Sequence, residues 1–268
     1  MDTIQITITV REDQQEILIS DLSELGADGF EQTDTHLLAY FNEHIFKSYD
    51  VNELLKNFNF HINTVKEQNW NEVWENNFQP VIVGDFCAVR AMFHQPINTV
   101  QHEILITPKM SFGTGHHATT YMMIEQMRDI DFHEKKVFDF GTGTGILSIL
   151  AEKLGAASVT AIDVDDWSII NAEENIQENN CNRIALSLSS KIPDQSFDVI
   201  LANINRNVIL QYLSSLKKTL MPGGQILFSG LLTTDQKDIV EACVQQGMVL
   251  LKQNERNNWI SLVFVNRA

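Results

Sequence analysis

The sequence predicts a two-part α/β protein, in which a small α+β domain over residues 1–66 precedes a larger domain over residues 80–268 with a mainly parallel sheet. Three observations predict this organisation. The first 66 residues carry strand and helix patterns in the order βαββαβ, which is the order of the ferredoxin-like split βαβ unit. After residue 136 strands and helices alternate, as in a parallel sheet covered by helices on both faces. Residues 248–265 predict a hairpin at one sheet edge.

Each element of the first domain has a local signal. Isoleucine and valine alternate with polar residues from Ile4 to Val10, which predicts a half-buried strand. Asp13 and Asp50 are each followed three residues later by glutamate, so we expect capping boxes at the starts of two helices. Gly26 is placed to end the first helix. The remaining strands are expected at residues 30–33, 36–41 and 60–66.

Residues 67–79 predict a linker helix. Trp70, Val73, Trp74 and Phe78 recur at helical spacing, and Pro80 ends the pattern. Two tryptophans on one face of a short amphipathic helix favour packing between domains over stacking on a ligand.

The larger domain is expected to begin with strands at 81–84, 86–93 and 103–107, a loop, and a helix that reaches about residue 130. Further strands are expected at 136–140, 158–163, 184–189, 197–202 and 225–230. Helices are expected to end near Leu154 and to span 167–179, 207–220 and 235–246. The Met221 to Gly224 segment is expected as a turn before the last parallel strand.

The charge of the chain bears on its partners. The sequence has 35 acidic and 19 basic residues, a net charge of −16, which disfavours binding to nucleic acid. Residues 1–66 hold 12 acidic and 4 basic residues, so the acidity is about three times denser there than in the rest of the chain. The first domain could be a docking module for a basic protein or a merely structural appendage, and the sequence leaves both interpretations open.

Cysteine usage and the lack of targeting segments indicate a cytoplasmic protein. Cys87, Cys181 and Cys243 are far apart and odd in number, which excludes a disulfide framework and a cysteine zinc site. No apolar run approaches the ~18 residues of a spanning helix, and the N-terminus has no secretory pattern. We expect no membrane association.

The adjacent histidines His116 and His117 do not predict a metal site, because the HExxH pattern and a third ligand are missing. The sequence leaves open whether one of these histidines contacts a cofactor or substrate.

A glycine loop is the main chemical signal. An apolar strand ends near Asp139 and leads into Gly141-Thr142-Gly143-Thr144-Gly145 and then a helix, which is typical of a nucleotide-binding turn. Asp163, at the end of the next strand, stands 22 positions after Gly141. A carboxylate there can accept hydrogen bonds from ribose hydroxyls. The sequence therefore predicts an adenosine-containing ligand, with Gly141, Thr142, Gly143, Asp163 and Val164 among its contacts.

The third glycine comes one residue too early for the GxGxxG of dinucleotide enzymes. After the fourth strand, Leu201-Ala202-Asn203 places an asparagine where it can orient an acceptor nitrogen. This combination resembles the class I methyltransferases, which use S-adenosylmethionine.

The segments 112–120, 139–145 and 201–203 are similar to the signature of a narrower family, the bacterial methyltransferases of large-subunit ribosomal protein eleven. The resemblance implies a Rossmann-like, seven-stranded class I methyltransferase domain preceded by a ferredoxin-like substrate-recognition domain. It implies transfer of methyl groups from S-adenosylmethionine to lysine side chains and the N-terminal amine of that basic protein. The substrate would be free or on the large ribosomal subunit, without direct need of nucleic acid, and we expect a monomer.

The family's binding positions carry over onto Thr120, Gly141, Asp163 and Asn203, and Asn203 is the candidate catalytic residue. Its side-chain oxygen or its backbone carbonyl is expected to orient either the acceptor nitrogen or the amino group of the donor. We expect the loop with Phe112, Gly113 and Thr114 to close over the cofactor. Ala118 and Ile204 stand where many members of the family carry proline, so we expect a less rigid backbone there.

Three alternatives stay open at this stage. A nucleic-acid base methyltransferase usually has an aromatic residue after the Asn-Pro-Pro segment that stacks on a flipped base, whereas Asn203 is followed by Ile204, Asn205 and Arg206. The second alternative is a small-molecule N-methyltransferase, and the third is a binding module without catalysis.

Overall fold

The structure, a computed structural model, describes residues 3–65, 79–107 and 117–267. The chain divides into two compact units, residues 1–78 and 79–268. The predicted linker helix lies outside the described residues except for Gln79, and so does most of the loop that precedes residue 117.

The first unit is a four-stranded antiparallel sheet with two helices. The strand order is β2-β3-β1-β4, and every neighbouring pair is antiparallel. This is the strand order of a split βαβ unit, as the element order predicted. The elements are β1 (Thr3–Thr9), α1 (Glu12–Glu24), β2 (Ala27–Gln32), β3 (His36–Asn42), α2 (Ser48–Leu54) and β4 (Asn59–Val65).

The core of the first unit follows from the alternation of β1. Ile4, Ile6 and Ile8 are buried, and the residues between them are not, because successive side chains of a strand point to opposite faces. The buried isoleucines pack with Leu18 and Leu22 of α1 in one apolar cluster. The period of the sequence therefore determines which face of the sheet the helices cover.

Both capping boxes predicted for this unit are wrong. Helix α1 begins at Glu12 after Arg11, and α2 begins at Ser48 after Lys47; neither preceding side chain accepts a hydrogen bond from the helix. Asp50 lies instead within the first turn of α2. A carboxylate there complements the positive end of the helix dipole without capping it.

The second unit opens with a small mixed sheet. Its order is β5 (Val81–Val83), β6 (Cys87–Ala91) and β7 (His102–Ile106), with β5 antiparallel and β7 parallel to β6. Arg90 of β6 forms two hydrogen bonds to the carboxylate of Glu103 in β7, at 2.8 and 2.9 Å. This bidentate ion pair fixes the register of the two strands.

A seven-stranded sheet forms the body of the second unit, as the resemblance implied. None of the helices within the described ranges has the length and apolarity needed to cross a bilayer. The elements are α3 (Ala118–Met127), β8 (Lys136–Phe140), α4 (Ile146–Lys153), β9 (Ser158–Asp163), α5 (Asp166–Glu178), β10 (Ile184–Leu188), β11 (Phe197–Asn203), α6 (Arg206–Thr219), β12 (Leu220–Leu232), a 3-10 turn (Thr233–Asp235), α7 (Gln236–Gln245), β13 (Met248–Arg256) and β14 (Trp259–Asn266).

The strand order is β10-β9-β8-β11-β12-β14-β13. The first five strands are parallel, and the hairpin of β13 and β14 adds the antiparallel edge that the sequence predicted. The chain order reverses at β8, which has β9 on one side and β11 on the other. Ligands of open α/β sheets bind in the crevice at the carboxyl ends of the strands at such a reversal.

The segment Met221 to Gly224 is not the turn that we expected. It lies within β12, where the partners of β11 jump from Leu220, opposite Phe197, to Gln225, opposite Val199. The four residues between them form an irregularity in the strand rather than a separate turn.

Gly230 determines how closely β12 approaches the chain after β11. It has a φ of +79° and lies where the pairing of β12 with β14 shifts register. A Cβ atom at Gly230 would overlap the carbonyl oxygen of Ile204 and come within 2.8 Å of its carbonyl carbon. Only glycine therefore fits at this position.

We expect Gly230→Ala to destabilise the fold by about 3 kcal/mol or more, because left-handed strain of about 1–2 kcal/mol adds to a clash with backbone atoms. Gly247→Ala is the matched control, since Gly247 has a φ of +78° with no atom within 4 Å of an added Cβ. Urea unfolding measures both variants. Equal losses would contradict the close approach to Ile204.

Candidate active site

A cavity of about 330 Å³ lies at the carboxyl ends of β8, β9 and β11, within the usual range for small-molecule sites. Five of the residues predicted from the sequence line it: Gly141, Gly143, Asp163, Val164 and Asn203. The other lining residues are Phe140, Ile162, Ser168, Ser189, Ile204, Asn205 and Val208.

The glycine loop is tied to β9 by its own backbone. The N–H groups of Gly141 and Thr142 both donate to the carbonyl of Ile162, at 2.9 and 3.0 Å. Gly141 has a φ of +79°, and a Cβ there would stand 2.5 Å from Cγ2 of Ile204. The loop therefore exposes bare backbone to the cavity, which lets a ligand approach it closely.

Asp163 faces the cavity with a carboxylate that the backbone already orients. Its Oδ2 accepts from the N–H of Gly143 at 2.8 Å, and its Oδ1 accepts from Val164 at 2.8 Å and Asp165 at 3.1 Å. Because each carboxylate oxygen can accept about two hydrogen bonds, Oδ2 retains capacity for one more donor. The carboxylate is thus held in place at the cavity wall with acceptor capacity to spare.

Thr142 points under the loop and is not part of the cavity wall. Its hydroxyl donates to Oδ2 of Asp139 at 2.7 Å, and the Ser148 hydroxyl donates to the same oxygen at 2.6 Å. Burial of the Asp139 carboxyl raises its pKa to about 6, although these two donors and the charge of Asp163 modify the effect. Asp139, Thr142 and Ser148 together support the loop from below.

Asn203 lines the cavity at the end of β11 and contacts Thr120 of helix α3 behind it. The Nδ2 of Asn203 donates to the hydroxyl oxygen of Thr120 at 3.2 Å, and Thr120 itself is fully buried. The Oδ1 of Asn203 is buried without a hydrogen-bond partner among the described residues. The side chain is therefore held so that its one remaining polar atom is an acceptor.

His117 caps helix α3. Its ring accepts from the N–H of Thr119 and lies 4.7 Å from the ring of Trp259, edge to face. The residue thus has a structural role at the start of the helix that carries Thr120. Within the described ranges no three potential metal-ligating side chains converge.

Several lining residues were not predicted. Ser189 directly follows β10 and Asn205 is the second residue after β11, so their place at the carboxyl ends of parallel strands is the signal that could have found them. Ser168 lies in α5, next to the Asp165 cap, and carries no comparable signal. Phe112, Gly113, Thr114 and His116 lie outside the described residues.

The seven-stranded order with its reversal at β8, together with a glycine loop, an acidic strand end and an asparagine around one cavity, defines a class I methyltransferase. A solved structure agrees in fold and sequence. The ribosomal protein L11 methylase from Lactobacillus delbrueckii subsp. bulgaricus matches with a TM-score of 0.66 and 31% identity, over 71% of this chain and 100% of that one.

The particular family follows from the sequence comparisons. The family model described as ribosomal protein L11 methyltransferase (PrmA) matches residues 12–267. The ribosomal protein L11 methyltransferase of Porphyromonas gingivalis is 41% identical over 93% of this chain and 90% of that protein. The one of Phocaeicola vulgatus is 36% identical over 99% of both. The chain belongs to the ribosomal protein L11 methyltransferase family, and the resemblance found in its motifs is confirmed.

The raised pKa of Asp139 predicts a pH dependence of stability. Because the folded carboxyl holds its proton more tightly than the unfolded one, stability is lost as the pH rises from about 4 to about 6. Asp139→Asn removes this term. We expect wild type to lose about 2 kcal/mol more than Asp139→Asn between pH 4.5 and pH 7.5.

Urea unfolding at several pH values measures this difference, and Asp166→Asn, at an exposed acid of α5, is the control. Parallel pH profiles for wild type and Asp139→Asn would show that the buried carboxyl does not titrate in this range.

Proposed function

We propose that this chain transfers methyl groups from S-adenosylmethionine to the lysine side chains and the N-terminal amine of ribosomal protein L11. The observation that carries the proposal is the convergence of the glycine loop, Asp163 and Asn203 on one cavity in a member of this family. When bound, S-adenosylmethionine supplies a methyl group on a positively charged sulfur.

The residues around the cavity fit such a ligand. The bare backbone at Gly141 and Gly143 offers the close approach that an adenosine compound needs. Oδ2 of Asp163 would accept from a ribose hydroxyl. Val164, 71% exposed at the rim, gives an apolar surface for the adenine ring.

Asn203 would place the acceptor amine. Its Nδ2 is held by Thr120, so Oδ1 can accept a hydrogen bond from an N–H of the incoming amine. An amine attacks through its lone pair and must therefore be neutral, and exclusion of water favours that form. Alignment is the main contribution that these residues make to the rate, and the released proton can leave through water.

The acidic first unit is the proposed docking module for the basic substrate. Asp28, Asp34 and Glu43 are all exposed at the ends of its β2 and β3 strands. Negative surfaces accelerate and orient the binding of a positively charged protein. The enzyme would act as a monomer in the cytoplasm, where ribosomes assemble. It would dock L11 that is either free or part of the large ribosomal subunit.

We expect Asp163→Ala to weaken the binding of S-adenosylmethionine at least about tenfold, because a charge-assisted hydrogen bond to ribose is lost. Asp166→Ala, three residues along the chain, removes an exposed carboxylate outside the cavity and should bind within about twofold of wild type. Calorimetry measures both. Unchanged affinity in Asp163→Ala would contradict the ribose contact.

Incubation with radiolabelled S-adenosylmethionine and either purified L11, ribosomal RNA or small amines tests the activity. We expect label in L11, located by mass spectrometry on lysine Nε and the N-terminal nitrogen. Label in RNA or in small amines alone would contradict the proposal.

The same assay tests docking through two sets of substitutions of equal charge. Neutralising three acids of the first unit should raise the KM for L11 about fivefold or more, whereas three acids of the second unit should have little effect. The first set is Asp28→Asn, Asp34→Asn and Glu43→Gln, and the second is Glu173→Gln, Glu178→Gln and Glu255→Gln, all at exposed positions. Equal effects of the two sets would assign the attraction to overall charge.

A further inference from the structure

Three buried asparagines recur at intervals of four residues along helix α5 and directly after it. Asn171 and Asn175 lie within the helix and Asn179 follows its last residue, in a row where apolar side chains are usual. A buried amide is costly unless its polar atoms are hydrogen-bonded. The partners of these three side chains therefore explain why they are there.

The asparagines bind the backbone at the end of β7, an edge strand of its sheet. Asn179 binds both polar groups of Leu105, donating to its carbonyl at 2.7 Å and accepting from its N–H at 3.0 Å. At Thr107, Asn175 accepts from the N–H at 2.7 Å and Asn171 donates to the carbonyl at 3.3 Å. The asparagine amides thus satisfy the backbone hydrogen-bonding groups of this edge strand, as a neighbouring strand would.

The spacing of the two elements makes this match possible. Four residues of a helix rise about 6 Å, and two residues of a strand span about 6.6 Å. Asparagines four residues apart therefore advance by nearly the same distance as alternate residues of the strand, such as Leu105 and Thr107.

Asn175 differs from the other two because it also reaches the glycine loop. Its Nδ2 donates to the carbonyl of Thr144 at 2.8 Å and to Oδ1 of Asn171 at 2.8 Å. Helix α5 lies directly against the loop there, since a Cβ added to Gly145 would be 3.2 Å from Cβ of Ala172. One buried amide thus connects the loop to the end of β7.

We propose that Asn175 is a positioning residue for binding of the methyl donor, an inference that rests on the function proposed above. It holds the glycine loop by the Thr144 carbonyl and is itself held by Thr107. Without it, that carbonyl loses a buried donor, and the loop keeps its bonds to Ile162 and Asp163 but is held less firmly against the ligand.

Asn179 provides a matched control. It is also buried and also makes three hydrogen bonds, to both polar groups of Leu105 and to the carbonyl of Asn175, but these do not reach the glycine loop. Asn175→Ala and Asn179→Ala therefore remove similar contacts from the same row of asparagines. Only the first removes a contact with the loop.

The experiment is calorimetry of S-adenosylhomocysteine, the demethylated form of the donor, with the full-length wild-type chain and both variants, alongside urea unfolding. We expect both variants to lose stability. The Kd should rise at least tenfold in Asn175→Ala and less than threefold in Asn179→Ala. In methylation assays Asn175→Ala should raise the KM for the donor and keep kcat within threefold at saturating donor.

Equal Kd values in the two variants would overturn the inference alone, whereas failure of the wild-type chain to bind the probe would overturn the proposed function and the inference with it. If Asn175→Ala does not fold, the pair Asn175→Ser and Asn179→Ser replaces it, with the same expected difference in Kd.

Discussion

The close passage of the chain at Ile204 between two glycines controls the geometry of the site. The side chain of Ile204 lies over Gly141, and its backbone lies against Gly230, so that neither glycine has room for a Cβ atom. Because Asn203 directly precedes Ile204, these contacts set where its amide meets the cavity. The glycine loop, the end of β11 and the segment of β12 at Gly230 are in this way packed together at the reversal of the sheet.

The two departures from the family pattern are Ala118 and Ile204, and at each a hydrogen bond holds the backbone. Ala118 is the first residue of α3, a position that proline favours, and the helix start is fixed by the His117 cap. The N–H of Ile204 donates to the carbonyl of Ser229 at 3.2 Å. A proline at that position has no N–H to donate, so this hydrogen bond requires a residue other than proline.

Local patterns made most of the fold predictable. The alternation of strand and helix, the glycine loop and the strand end at Asp163 each depend on neighbours in sequence, and the structure places them as expected. The capping boxes failed because other residues precede the two helices, and sequence spacing alone does not fix a helix start.

Contacts between distant segments were not predictable in the same way. The asparagines along α5 and directly after it repeat every fourth residue, a visible pattern, but nothing local says that their partners are the backbone of β7 and of the glycine loop. The environment of Asp139 was likewise not predictable from the local sequence. That its carboxyl is buried under the loop with Thr142 and Ser148 as donors follows only from the packing of β8 against α4.

The proposed docking and the proposed transfer place opposite demands on charge, and the distribution of acidic residues would separate the two. Attraction of a lysine-rich protein needs a negative surface, which also stabilises the protonated amine, while transfer needs the amine neutral. The acidity is densest in residues 1–66. Among the described residues that line the cavity, Asp163 is the one ionisable side chain, and its carboxylate is bound to the glycine loop. Asn203 and Thr120 are polar but uncharged, so the residues proposed to hold the amine do not oppose its loss of a proton.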